Sequence, residues 1–276
     1  MSINENEIVS DNSNEQNDIL VEHDGGVATV IFNRPTQRNA ISYAGWLELQ
    51  RIAIDLERDD SVRVVVFTGA GDRAFSAGAD IKDFEQYRIN SQIAKVYAAA
   101  FDGAMDAVEA MSKPTISMIR GFCVGGGCEF SMATDIRIAS DDSRFGIPIA
   151  RLGILVGYGE MRRLVQLVGP GNASYILLSG RLIDAHEAHR IGLITTLLGA
   201  DELRDYTYAL AREMAELAPL SHKRNKRIRD ITLRNPSGEG LSQEEEDLPF
   251  TNFDSADFHE GRAAFIERRT PNFKGG

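Results

Sequence analysis

With 276 residues, 43% of them hydrophobic, the chain is long enough to bury a sizeable core and suits one large domain with an appendage. Its formal net charge of −11 argues against a general nucleic-acid-binding role, which needs a dense basic face. Two cysteines, and no secretory segment or apolar run of about 18 residues, argue against a disulfide scaffold and a membrane span; a soluble, cytoplasmic protein is expected.

Residues 1–18 are polar and acidic, the composition of a disordered tail, so folding is expected to start near Ile19. Val21 and residues 27–32 flank Asp24-Gly25-Gly26, a hairpin turn signal. Ser42 can cap a helix through about Glu57, with Trp46, Leu49, Ala53 and Leu56 on one face. The valines of 62–68 predict a buried strand, 91–111 a second helix, and Pro114 opens a strand over 115–120. A helix from Gly126, strands at 135–139 and 144–147 and a helix over 159–168 form a third unit, and 172–198 a weaker fourth. This alternation predicts an α/β core over residues 19–200. Past Asp201 the strands stop. Residues 201–218, 220–233 and 255–267 read as helices, with an acidic loop at Glu244-Glu-Glu-Asp247 between them, so 201–276 is expected to be a helical region.

Two stretches of small residues carry chemistry. Ala77-Gly-Ala-Asp-Ile-Lys82 and Gly125-Gly-Gly-Cys-Glu129 each follow a β-rich run, and their glycines let backbone N–H groups point at a ligand with no side chain in the way. The second opens a helix whose unpaired first N–H groups and partial positive charge suit a developing anion, and Glu129 stands about one turn in. Together they can build an oxyanion hole with a carboxylate beside it. Cys123 and Cys128 read as packing residues, without the number or spacing of a zinc site. His186 and His189 sit three apart around Glu187 but lack the spacing of a zinc-protease helix.

At these stretches, and at Asn33-Arg-Pro35, Arg38-Asn-Ala-Ile-Ser42, Val64-Val-Val-Phe-Thr-Gly69, Gly180-Arg181, Gly192-Leu193 and Phe265-Ile-Glu-Arg-Arg269, the sequence resembles the enoyl-CoA hydratase/isomerase family, the crotonase superfamily, from about Ile19 to its last residues. The resemblance implies a spiral of strand–strand–helix units with a C-terminal helical region that covers the acyl-CoA site and makes trimer contacts, as a homotrimer or a dimer of trimers. It implies an acyl-CoA thioester substrate and neither a metal nor a redox cofactor, with CoA present only as part of the substrate. It also implies that the N–H groups of Ala79 and Gly126 hold the thioester oxygen of an enolate while Glu129 moves a proton. Lys82 matches a CoA-contacting lysine, and Phe265 and Arg268 match positions reaching the adenine and phosphate end of CoA, often from a neighbouring subunit. Asp80 is expected to cap the helix that begins beside it. The basic run Lys223-Arg-Asn-Lys-Arg227 reads as a solvated helix face, or else as a site for CoA phosphates or an anionic partner.

One position departs from the family pattern. Hydratases of the family hold a water between two glutamates, and where the second should follow Phe145-Gly-Ile-Pro148 this chain has Ile149, which cannot transfer a proton and puts the usual hydration in question. Glu160 stands where the family commonly has a small residue lining the acyl pocket. It can bring a carboxylate in from another direction, or be an ordinary first-turn glutamate favoured by the helix dipole. Tyr158 offers a phenol beside it, and Arg151 is expected to pair with either carboxylate and lower its pKa. Three functions fit: a lyase or isomerase in which Glu129 shuttles a proton, a thioester or β-diketone hydrolase in which it positions a water, and a non-catalytic binding protein.

Overall fold

The computed structural model describes residues 17–276. The expected tail therefore lies, apart from its last two residues, outside the described residues. Those two are tied to the fold: Asn33 donates its side-chain amide to the Asn17 carbonyl at 3.0 Å, and Asp18 pairs with Arg34 at 3.5 Å.

A hairpin of β1 (Ile19–Asp24) and β2 (Val27–Phe32) turns at Gly25, whose φ of 57° needs no Cβ to be accommodated. Helix α1 (Tyr43–Arg58) follows, capped by Ser42, which accepts from the Gly45 N–H at 3.1 Å. It buries Trp46, Leu49, Ala53 and Leu56, the face expected from their spacing. The chain then winds in repeated turns. The first turn is β3 (Val64–Gly69), β4 (Ala74–Ser76), the short α2 (Phe84–Tyr87) and α3 (Ser91–Glu109). The second is β5 (Thr115–Ile119), β6 (Phe122–Val124) and α4 (Gly126–Ser131). The third is β7 (Ile136–Ser140), β8 (Arg144–Gly146) and α5 (Tyr158–Ser179), which breaks at Gly169 (φ 74°) before Pro170. A last turn brings β9 (Ile183–Asp184), α6 (Ala185–Arg190) and β10 (Thr196–Leu198).

In the first three turns the leading strand enters a six-stranded sheet, β1-β2-β3-β5-β7-β10, and the second strand enters a four-stranded one, β4-β6-β8-β9. All neighbours pair in parallel except β1 with β2 and β8 with β9. This is the strand–strand–helix spiral that the resemblance implies. Between the sheets and α1, Phe130 of α4 lies edge-on to Phe32 at 5.3 Å and to Phe67 at 5.1 Å. These contacts clamp α4 in the core and so fix the helix start that precedes it.

Past β10 come only helices: α7 (Leu203–Ala215), α8 (Pro219–Arg234), α9 (Gln243–Thr251) and α10 (Ala256–Glu267). The acidic stretch at 244–247 is not a loop but the start of α9, where Ser242 and Glu245 form a reciprocal capping box and carboxylates complement the helix N-terminus. The basic run on α8 is not simply solvated: Lys226 pairs with Asp135 at 2.7 Å and Arg227 with Glu244 at 2.7 Å. The first predicted strand of the spiral starts at Val64, because Val62 still closes a turn onto the Asp59 carbonyl at 3.0 Å. Among the described residues no helix is long and apolar enough to cross a membrane.

Candidate active site

The two small-residue stretches meet because β4 and β6 are neighbours in the smaller sheet. The loop after β4 is wired to the chain before α1. Ala77 N–H donates to Arg38 O, Ile41 N–H to Gly78 O and Asp80 N–H to Ile41 O, at 2.8–2.9 Å. Asn39, buried at a φ of 55°, donates its amide to Ala74 O at 2.7 Å. Gly78 has a φ of 93°, and a Cβ there would stand 2.7 Å from Gly126 N and 2.8 Å from Val124 O, so only glycine fits. Gly125, also at positive φ, precedes the first residue of α4. A Cβ on Gly126 would lie 3.2 Å from Ala79 N, so the backbones of the two residues pass close to one another. Neither donates to a backbone carbonyl among the described residues. Two unpaired backbone N–H groups this close, one of them at a helix start, are of the kind that can hold a developing oxyanion.

Beside them a cavity of about 550 Å³ opens between α3 and the segment leading into α5. Ile149, Leu152 and Val156 line one side, and Tyr97 and Phe101 the other. Three carboxyl groups face into it: Glu129 from α4, Glu160 from the first turn of α5, and Asp102 from α3. Glu129 is 5% exposed, and burial, reinforced by the Glu160 charge, pushes its carboxyl up to about 8. Arg88, which lines the cavity with its guanidinium 4.4 Å from the Phe84 and Tyr97 ring centres, opposes that rise, and Asp102 adds to it. Asp102 is itself pushed up to about 6, by burial first and then by the charge of Glu160.

Glu160 is only 2% exposed, so it is a lining group and not an ordinary surface glutamate. Its cationic neighbour is Arg163, one helical turn on, at 3.7 Å. Arg163 is anchored on its far side by Asp106 at 2.5 Å and Glu109 at 2.6 Å, both from α3. Arg151, expected to pair with a carboxylate, is exposed and lies over Gly180 instead, on the 3-10 turn Pro148–Leu152 that points it away from the cavity. Tyr158 is 99% exposed, so its phenol does not stand beside Glu160 in the cavity.

Asp80 accepts from the Lys82 N–H at 3.1 Å as a cap and pairs with Arg34 at 2.9 Å. Lys82 is exposed at the mouth of this loop, outside the cavity lining. Phe265, 86% exposed, and Arg268 stand at the C-terminal end of α10, away from the carboxyl groups. Cys123 and Cys128 are buried free thiols, and burial pushes Cys123 well up. The sequence reading does not single out Asp102. The only signal was a weak one, an acidic stripe at 102, 106 and 109 on α3 facing Arg162 and Arg163.

The chain matches the family model described as enoyl-CoA hydratase/isomerase over residues 22–276. It is 34% identical over 255 residues to the short-chain-enoyl-CoA hydratase of Clostridium acetobutylicum, covering 92% of this chain and 97% of that protein. To the 2,3-dehydroadipyl-CoA hydratase of Escherichia coli it is 32% identical over 259 residues, covering 94% and 99%. Among solved structures, the enoyl-CoA hydratase/carnithine racemase of Magnetospirillum magneticum superposes with a TM-score of 0.90 at 35% identity, covering 94% of this chain and 96% of that one. The enoyl-CoA hydratase of Bacillus anthracis superposes at 0.88 with 32% identity, covering 94% and 100%. Spiral, paired turns and matches over nearly the whole length agree: the chain belongs to the enoyl-CoA hydratase/isomerase family of acyl-CoA enzymes.

Proposed function

We propose that this protein forms a thioester enolate on a 2-enoyl-CoA or related acyl-CoA, with Glu129 as the acid–base group at the α-carbon. The N–H groups of Ala79 and Gly126 receive the carbonyl oxygen, and one such donor is commonly worth about 3–4 kcal/mol of transition-state stabilisation. The observation that carries this reading is the placement of Glu129, buried beside both N–H groups and held protonated near neutral pH. A neutral carboxylic acid is suited to deliver a proton to an enolate carbon, and ill suited to act as the base that activates water on a thioester carbonyl. That favours the lyase or isomerase reading over the hydrolase one. The CoA end is assigned to Lys82, with Phe265 and Arg268 contributed across a homotrimer, in keeping with their exposure here and their distance from the carboxyl groups.

Deuterium uptake at the α-carbon of butyryl-CoA in heavy water, followed by NMR, tests the enolate directly. Wild type should exchange, faster as pH rises through about 8 where Glu129 gives up its own proton and becomes the base, and Glu129→Gln should exchange roughly 10²–10⁴-fold more slowly while still binding the ester. Exchange by the variant at the wild-type rate, or rapid release of free CoA thiol by wild type, would sink the assignment.

A further inference from the structure

The family's second glutamate position is Ile149 in this chain, yet the cavity is not short of carboxyl groups. Glu160 enters from α5 and Asp102 from α3, from two elements that are far apart in sequence and meet only in the fold. Beside them stands an ion cluster whose residues, apart from Glu160, lie outside the cavity lining. Arg163, nearly fully buried, bridges Asp106 and Glu109 of α3 to Glu160 of α5, so it ties together the two helices from which Asp102 and Glu160 line the cavity. Arg163 spends Nη2 and Nε on Asp106 and Glu109, and its buried Nη1 has no hydrogen-bond partner while lying 3.7 Å from Glu160. Glu109 is also paired with Arg162 at 2.8 Å, whereas Glu160 has, among the described residues, only the 3.7 Å contact with Arg163. Asp102 next to Glu160 is the only further carboxyl lining the cavity besides Glu129, among the described residues.

We propose that Asp102 and Glu160 together serve as the second acid–base group of this enzyme, facing Glu129 across the acyl site in place of the glutamate missing at position 149. The proposal rests on the reading of the cavity as the acyl-CoA site.

Burial and the neighbouring Glu160 charge push the Asp102 carboxyl up to about 6, so near neutral pH it has lost its proton and can accept one from water. That state complements Glu129, which is protonated there. In hydration, the oxygen of a water bonds to the β-carbon of the enoyl thioester and the C–C π pair moves to the enolate held by Ala79 and Gly126. The proton lost by the water goes to the carboxyl pair. Glu129 gives its proton to the α-carbon, so H and OH have been added across the double bond. The site is then one proton richer at the pair and one poorer at Glu129, and water in the emptied cavity carries that proton back. Groups pushed apart in acidity by their surroundings are what such an acid–base division requires. The charges facing the pair are Asp106 and Glu109 along α3, Arg163 on α5, Glu129 on α4 and Arg88 at the cavity wall.

Crotonyl-CoA and trans-2-decenoyl-CoA are the probes, with loss of the enoyl-thioester absorbance as the readout. Wild type should hydrate at least one, with kcat/KM rising through about pH 6 and falling through about pH 8. Asp102→Asn and Glu160→Gln should each lower kcat by roughly 10²–10⁴-fold and displace the acid limb, while butyryl-CoA exchange falls by no more than about tenfold. The double variant should be little worse than either single one, because the two act as one group. Asp102→Glu, which keeps a carboxyl, should recover part of the rate; a merely structural Asp102 would leave the acid limb where it was. Hydration by neither probe in wild type, unaltered hydration in either single variant, or a lowered rate with an unmoved acid limb would overturn the pair. Failure of wild type to exchange the butyryl-CoA proton would instead overturn the reading of Glu129, leaving the pair to be judged on the hydration profile.

Discussion

The Glu129 carboxyl offers a quantitative handle on the site through stability alone. Glu129→Gln keeps the shape of the side chain and removes its titration. In wild type the group is lifted from 4.5 to about 8, so between those values the native state binds more protons than the unfolded chain. The stability it contributes is therefore fully present below about pH 4.5 and is lost as pH rises through about 8. At about 1.36 kcal/mol for each pH unit, the loss approaches roughly 5 kcal/mol. This is an upper limit, because the cavity opens to water that relieves part of the desolvation. The variant has no such loss. Urea unfolding, followed by the fluorescence of the sole tryptophan, the buried Trp46, should show the two proteins close in stability near about pH 5 and the variant ahead by about 2–5 kcal/mol near about pH 8.5. Asp102, lifted in the same direction in both proteins, cancels to first order. Parallel stability curves across that range would refute the claim that Glu129 is held protonated by burial.

Three further outcomes are expected. Arg163→Met should lower stability by up to about 3 kcal/mol by leaving the buried Glu160 without its cation, since Asp106 is largely solvated and Glu109 keeps Arg162, and an unchanged urea midpoint would show that the cluster carries none of the fold's stability. Gly78→Ala, with a Cβ forced 2.7 Å from Gly126 N, should cost about 1–3 kcal/mol and at least about 10²-fold in α-carbon exchange, read by melting and by NMR; near-wild-type exchange would mean that the two N–H groups do not act together. Ile149→Glu should not raise crotonyl-CoA hydration and should lower the melting temperature, since it adds a fourth carboxyl to a cavity already holding Glu129, Glu160 and Asp102 at a cost of a few kcal/mol. A clear gain in hydration would show that the second group is lacking in wild type.

Backbone-level features were legible in the sequence because their causes are local. Gly78 and Gly125 mark positive-φ turns, Ser42 caps α1, and the period of Trp46, Leu49, Ala53 and Leu56 marks its buried face. Valine runs and strand–helix alternation were enough for an α/β core and the small-residue helix start for Glu129 one turn into α4, while the spiral and the loss of a carboxyl at Ile149 were legible only through the family resemblance. The acidic start of α9 was also written locally, in Ser242 and Glu245, but its charge density reads as a loop when the capping box is overlooked.

What the tertiary structure alone decided is which charged groups share the cavity. Whether a carboxyl is solvated or buried depends on what a distant element lays over it, and helical period says only which residues share a face. Asp102 lies on a stripe with Asp106 and Glu109 that would be an ordinary polar face if α3 met solvent there. It becomes part of the site only because α5 crosses it and sets Glu160 and Arg163 against it. For the same reason the cation beside Glu160 is Arg163 and not Arg151: one helical turn of α5 carries Arg163 inward, and the 3-10 turn before it carries Arg151 out to Gly180. Desolvation and the proximity of charges from separate helices set the proton affinities of Glu129 and Asp102, and both are properties of the packed molecule that no stretch of the chain contains.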